Sequence, residues 1–364
     1  MSAPRILIMA GGTGGHVYPA LAVAAELKNR GAEVVWMGTQ AGLEARVVPA
    51  AGYPMEWIGI AGLRGKGWVS WLTAPWRLLR ALAQALGIVR RTAPRAVLGM
   101  GGFASGPGGL ASRLLRRPLV IHEQNAVAGL TNRLLARMAV TVLEAFPNTF
   151  PAARGARCVG NPVRADILAL PGPRERLAGR EGPVRLLVLG GSGGALAINE
   201  MVPAALARLP AATRPEVRHQ AGRTLEAAQA AYREHGVAGD VTAYIEDMAA
   251  AYAWADLVVC RSGALTVAEL AAAGLGALLI PYPYAVDDHQ RINGEYLTRR
   301  GAAELIPQSA LDARRLADRL AELCADRARL CEMAEAARGA AWTDATREIA
   351  DACMAAACPR GIPS

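Results

Sequence analysis

Two glycine-rich segments hold the residues best suited to chemistry. Gly11-Gly12-Thr13-Gly14-Gly15 follows the apolar run Arg5-Ile6-Leu7-Ile8-Met9 and opens a helix-like stretch from Val17 to Lys28. Gly190-Gly191-Ser192-Gly193-Gly194 follows Arg185-Leu186-Leu187-Val188-Leu189 and opens Ala195 to Leu209 in the same way. Strand, glycine turn and helix in that order bring backbone amides to a helix N-terminus, where unpaired N–H groups and the helix dipole favour a phosphate. A tight turn without a ligand is the alternative for one loop alone; two loops, with the glycines from Gly99 to Gly109, favour anion binding. A third candidate runs from Arg261 to Leu270, after the strand-like Leu257-Val258-Val259-Cys260. Amides from Gly263 to Thr266 suit a diphosphate. Glu269, about one turn into the helix, either accepts both hydroxyls of a ribose or complements the helix dipole.

These loops need parallel strands to carry them. Short β-branched runs (Glu33 to Met37, Ala96 to Gly99, Pro118 to Ile121, Asp256 to Cys260, Ala277 to Ile280) alternate with Ala-rich helical stretches, the pattern of parallel sheets covered by helices on both faces. At 364 residues the chain exceeds the ~100–200 residues usual for one domain, so two doubly wound α/β domains are expected. The boundary is placed at Gly160-Asn161-Pro162-Val163-Arg164, giving domains 1–162 and 163–340, with a cleft between them and a C-terminal helical segment, 341–364, packing back toward the first. The tail from Ser309 to Arg338 and from Thr343 to Ala357 reads as helix.

Several classes are excluded. A dinucleotide fingerprint needs glycine where Val17 and Leu196 stand, and no Gly-Lys-Ser or Gly-Lys-Thr occurs, so a nicotinamide oxidoreductase drops to runner-up and a phosphate-loop NTPase is out. With no Asp-x-Asp pair, no metal is expected. Six cysteines without CxxC spacing read as small buried hydrophobes, not a disulfide frame or zinc site. The N-terminus enters Ile6-Leu7-Ile8-Met9 too soon for a secretory segment. No run of ~18–20 uncharged apolar residues is present.

The motifs together resemble the MurG family of N-acetylglucosaminyltransferases, which converts lipid I to lipid II in peptidoglycan synthesis. The carriers are Gly11 to His16, Gly62 to Gly67, Gly99 to Gly109, His122-Glu123-Gln124-Asn125, Gly160 to Arg164, the second glycine loop and Cys260 to Gly274. The resemblance spans nearly the whole chain. It implies a GT-B fold and inverting transfer from UDP-N-acetylglucosamine to the C4 hydroxyl of the N-acetylmuramoyl group of undecaprenyl-pyrophosphoryl-N-acetylmuramoyl-pentapeptide, with no cofactor. By the same resemblance, Thr13, Gly14, Gly15 and Asn125 are donor contacts of the N-terminal domain, and Arg164 and Ser192 meet the diphosphate. Ile245 contacts uracil, Ala264, Leu265, Thr266, Val267, Ala268 and Glu269 form the turn on diphosphate and ribose, and Gln290 touches the donor sugar. Gly193 stands where the family usually has Gln. His16, at the end of the first loop, is the expected base, its reference pKa of ~6.5 leaving it largely neutral at pH 7; His122 with Glu123 is the alternative acid/base pair.

Charge points the same way. The first 165 residues hold 19 Lys and Arg against 6 Asp and Glu, net +13, and the remainder 21 against 25, net −4. From Trp57 to His122 there is no acid, ten basic residues, and four of the seven Trp, at 57, 68, 71 and 76. On a helical wheel from Trp76, Arg77, Arg80, Gln84 and Arg91 share an arc opposite Leu78, Leu79, Leu82, Leu86 and Val89. Trp with basic residues suits anionic lipid, so Arg64, Lys66, Trp68, Trp71, Trp76, Arg77 and Arg80 are the expected peripheral contact with the cytoplasmic face of the inner membrane. The expected partners are the UDP-sugar, the lipid acceptor, an anionic membrane and, from the resemblance, other cell-wall and division proteins. A nucleic-acid-binding module, the other reading of a basic chain, is opposed by the Leu stripe and the glycine loops.

Overall fold

The computed structural model describes residues 3–60, 74–191 and 193–358. Arg64, Lys66, Trp68, Trp71 and Ser192 lie outside the described residues. The chain forms two compact units, Met1–Pro162 with Thr343–Ser364, and Val163–Trp342.

In the first unit the described residues form a parallel sheet of order β3-β2-β1-β4-β5-β6-β7. Its strands are β1 (Arg5–Met9), β2 (Glu33–Gly38), β3 (Met55–Trp57), β4 (Ala96–Gly99), β5 (Leu119–Glu123), β6 (Thr141–Glu144) and β7 (Arg157–Cys158). The apolar run of β1 is continuous because both faces are covered: Ile6 and Ile8 enter one core, Leu7 and Met9 the other. The helix Gly14–Asn29 covers the first face together with Ala345–Ala357, whose Ile349, Ala350 and Cys353 are fully buried there. Ala74–Thr92 and Ser105–Leu114 cover the second.

The second unit repeats the scheme with order β10-β9-β8-β11-β12-β13. Here β8 is Arg185–Leu189, β9 Glu216–Gln220, β10 Asp240–Thr242, β11 Leu257–Cys260, β12 Gly276–Leu279 and β13 Ala303–Leu305. Each sheet reverses its strand order beside the strand that carries a glycine loop, between β1 and β4 and between β8 and β11. At such a switch point the flanking loops diverge and leave room for a ligand at the carboxyl edge.

Along Ala74–Thr92, Leu78 and Leu79 are exposed, Leu82 and Leu86 pack against the core, and Ala81, Ala85, Ile88 and Val89 are buried in it. A wheel assigns direction around a helix but not depth, and the sheet is met only by the later turns. The expectation that the cysteines are buried needs correction: only Cys260 and Cys353 are, while Cys158, Cys324 and Cys331 are half-buried and Cys358 is exposed, none in a disulfide.

His219, on β9, shows how the second unit stores stability in a neutral imidazole. It is fully buried, with Nε2 facing Asn199 Oδ1 at 3.0 Å and Nδ1 facing the Tyr232 hydroxyl at 3.1 Å. Burial lowers its pKa to about 4. The unfolded chain therefore takes up this proton first. The stabilisation is complete above pH ~6.5 and is lost as the pH falls toward 4, at about 1.4 kcal/mol per pH unit. Urea unfolding of this unit is expected to show a loss of about 2 kcal/mol from pH 7 to 5, largely abolished in His219→Gln; equal losses in both proteins would refute it.

Candidate active site

In the first unit the loop after β1 is held in place by a carboxylate that has no local sequence signature. Glu44 is fully buried and accepts from Gly12 N at 2.9 Å, Thr39 N at 2.9 Å and Thr39 Oγ1 at 2.7 Å. Burial alone would raise its pKa, but these donors outweigh it and hold the carboxyl below its ordinary value. The carboxylate fits only because three neighbours lack side chains: a Cβ on Gly11, Gly38 or Gly42 would lie 2.4, 2.7 or 2.0 Å from Glu44 atoms. With the loop fixed, Thr13 is the N-cap of Gly14–Asn29 and makes no side-chain capping bond, so its hydroxyl does not occupy the first-turn amides beside Gly14 and Gly15.

The loop after β4 closes against this one. Gly102 has φ +87°, and a Cβ there would stand 2.5 Å from Gly11 O; Gly101, at φ +92°, would strike His16 Nδ1 at 2.7 Å. His16 is half-buried in the first turn, its Nδ1 2.8 Å from Gln124 Oε1. Gln124 Nε2 lies 3.0 Å from His122 Nδ1, and His122 Nε2 2.9 Å from Gly160 O.

His122 and Glu123 do not form an acid/base pair. Both nitrogens of His122 are engaged, and burial lowers its pKa to about 4. Glu123, also buried, accepts from Asn125 N (3.0 Å) and Nδ2 (3.3 Å), and from Gly129 N (3.1 Å) and Asn132 Nδ2 (2.9 Å). Its work is to orient Asn125 and the following turn.

In the second unit the loop after β8 is anchored by Gln220, whose Oε1 accepts from Gly191 N at 3.0 Å, and by Gly222, where a Cβ would lie 2.3 Å from Gly191 O. A Cβ on Gly193 would come within 3.8 Å of Arg223 Nη2. The loop after β11 leads into the helix Ala264–Ala273, whose N-cap is Gly263. A glycine brings no side chain to the amides of Ala264, Leu265 and Thr266, while Val267 N bonds Gly263 O. At the other end Arg176 donates to the carbonyls of Ala273 (2.6 Å) and Gly274 (2.5 Å), and Arg338 to that of Ala272. Cations on the carboxyl end complement the dipole.

Val267 and Ala268 lie in the first two turns of that helix and lead to Glu269, which is buried. Its Oε2 accepts from the Tyr252 hydroxyl at 3.0 Å, and Oε1 is 3.7 Å from Arg164 Nη2. Burial raises the Glu269 pKa against the opposing pull of Arg164 and Tyr252. Tyr252, wholly buried and 17 residues earlier, carried no sequence signal. Ile245 is half-buried before the helix Met248–Trp254. Gln290 accepts from Tyr282 N at 2.9 Å. Arg261 turns away from the helix N-terminus and binds Ile280 O (3.0 Å), Pro281 O (3.1 Å) and Gln308 Oε1 (2.6 Å), so it braces the same loop as Gln290.

Comparison with known proteins decides between the readings left open. Family models for the glycosyltransferase family 28 N-terminal and C-terminal domains match residues 6–144 and 185–349. The chain belongs to glycosyltransferase family 28, in its MurG branch. It is 59% identical over 351 residues, 96% of this chain and 98% of the other, to the UDP-N-acetylglucosamine--N-acetylmuramyl-(pentapeptide) pyrophosphoryl-undecaprenol N-acetylglucosamine transferase of Nitrosococcus oceani. A protein of the same name from Alkalilimnicola ehrlichii is 60% identical over 96% of this chain and 98% of its own length. The crystal structure of Acinetobacter baumannii MurG is similar at TM-score 0.85 and 42% identity, covering 96% of this chain and 99% of that one. The two sheets are those of a family 28 GT-B glycosyltransferase, and the oxidoreductase and nucleic-acid readings fall away.

The Glu44 cradle can be tested directly. Glu44→Gln places an amide against one of three donors, leaving a buried N–H without an acceptor; the expected loss is about 1–3 kcal/mol. Chemical denaturation of the first unit measures it, and unchanged stability would show that Glu44 does not hold the loop.

Proposed function

We propose that this chain transfers N-acetylglucosamine from UDP-N-acetylglucosamine to the C4 hydroxyl of the N-acetylmuramoyl group of undecaprenyl-pyrophosphoryl-N-acetylmuramoyl-pentapeptide. Near-full-length identity of 59% and 60% to transferases bearing that name carries the reading. The acceptor oxygen attacks C1 of the donor sugar as the bond from C1 to the β-phosphate oxygen breaks. Configuration inverts, the hydroxyl proton passes to His16, and UDP departs. The N-terminus of Ala264–Ala273 and Arg164 take the charge that grows on the leaving diphosphate, Glu269 takes the ribose, Ile245 the uracil and Gln290 the sugar. Thr13, Gly14, Gly15, Asn125 and Ser192 complete the donor contacts.

The acceptor is membrane-borne, so the protein works at the cytoplasmic face of an anionic membrane. In support, no helix among the described residues is long and apolar enough to cross a bilayer, and Trp76, 73% exposed, stands with Leu79, Arg77 and Arg80 on the uncovered start of Ala74–Thr92.

Radiolabelled UDP-N-acetylglucosamine with a lipid I analogue should yield labelled lipid; none from folded protein would sink the proposal. His16→Ala should cost on the order of a hundredfold in kcat with little change in UDP affinity, and near-normal turnover would remove His16 as base. Replacing Arg77 and Arg80 by Gln should weaken binding to phosphatidylglycerol-rich vesicles by about 2 kcal/mol, roughly thirtyfold. Unchanged sedimentation with vesicles would move the contact elsewhere.

A further inference from the structure

We propose that Gln124 and His122 are positioning residues that lock His16 into the tautomer carrying its proton on Nδ1, so that Nε2 presents the lone pair. The inference rests on the reading of His16 as base but is decided by the protonation pattern alone. Two backbone carbonyls, which only accept, fix every donor in the chain of contacts. Gly160 O, 2.9 Å from His122 Nε2, requires the His122 proton on Nε2 and leaves a lone pair on Nδ1. That lone pair faces Gln124 Nε2 at 3.0 Å, and the same amide nitrogen also donates to His122 O at 3.2 Å. Both contacts set the NH₂ end of Gln124 toward His122 and its Oε1 toward His16. At 2.8 Å, His16 Nδ1 must then be the donor. A neutral imidazole with its proton on Nδ1 has a basic Nε2, the form a general base needs.

The relay is protected at each link. Were His122 protonated on Nδ1, that nitrogen would donate and the amide would have to turn over, reversing the demand on His16. Burial prevents this by lowering the His122 pKa to about 4. The backbone of Gln124 is held by Asn161, whose Nδ2 donates to Gln124 O at 2.9 Å. The imidazole of His16 keeps its place because Gly101 has no Cβ to strike Nδ1.

The chain has five histidines, so ¹⁵N-histidine NMR of the full-length protein, with His16→Gln for assignment, resolves the tautomers. In the unmodified protein His16 should carry its proton on Nδ1 and His122 on Nε2. Gln124→Met, which keeps volume but removes both amide bonds, should release His16 to the Nε2-protonated form or a mixture and lower kcat about a hundredfold, with KM for the donor little changed. Gln124→Glu still accepts from His16 and should keep the proton on Nδ1. If His16 in the unmodified protein is protonated on Nε2, or Gln124→Met leaves its tautomer unaltered, the relay is wrong. If the tautomer changes in Gln124→Met and turnover does not, the relay stands and the role of His16 as base fails.

Discussion

The carboxyl edge of each sheet depends on backbones meeting at distances that only glycine allows. In the first unit Gly102 lies against Gly11, and in the second Gly222 lies against Gly191, each so close that a single methyl would fall 2.5 or 2.3 Å from a carbonyl oxygen. This close approach sets the other features. It brings the loop after β4 against the first turn of Gly14–Asn29, which puts Gly101 beside His16, and it pins the second glycine loop to the turn after β9. The two units reach the same end differently. The first clasps loops across its switch point, whereas the second clasps the loops of β8 and β9.

Charge is handled with the same economy of contacts. Glu44 stays ionised in a fully buried position because three donors converge on it, two of them backbone amides. Glu269 has one hydroxyl and a guanidinium at a longer distance, and its carboxyl is pushed up by burial. The first is a saturated structural anion. The second is a sparsely bonded anion, with one hydroxyl at hydrogen-bond distance and one guanidinium farther off.

The strands with continuous apolar runs, β1, β4, β8, β11 and β12, were legible because burial on both faces demands hydrophobic residues at every position. The four sheet edges, β3, β7, β10 and β13, were not, since each has three residues or fewer and includes polar side chains such as Glu56, Arg157 and Asp240. The glycine loops and the helix after β11 could be read from spacing. Glu44, Tyr252 and Gln124 could not be assigned their contacts, because each is defined by a partner 32, 17 or 108 residues away. A periodic pattern gives the side of a helix on which a residue lies, but not a neighbour supplied by another part of the fold, as Leu78 and Leu79 illustrate.

The helix Ala345–Ala357 closes the first unit, although the whole second unit intervenes in the chain. On the ribosome the usual order, in which the N-terminal domain folds first, is therefore reversed in its completion. Val163–Trp342 is contiguous and can finish while the nascent first unit still exposes the apolar face that Ile349, Ala350 and Cys353 will cover. The half that carries His16 matures last, after the contiguous second unit is already formed.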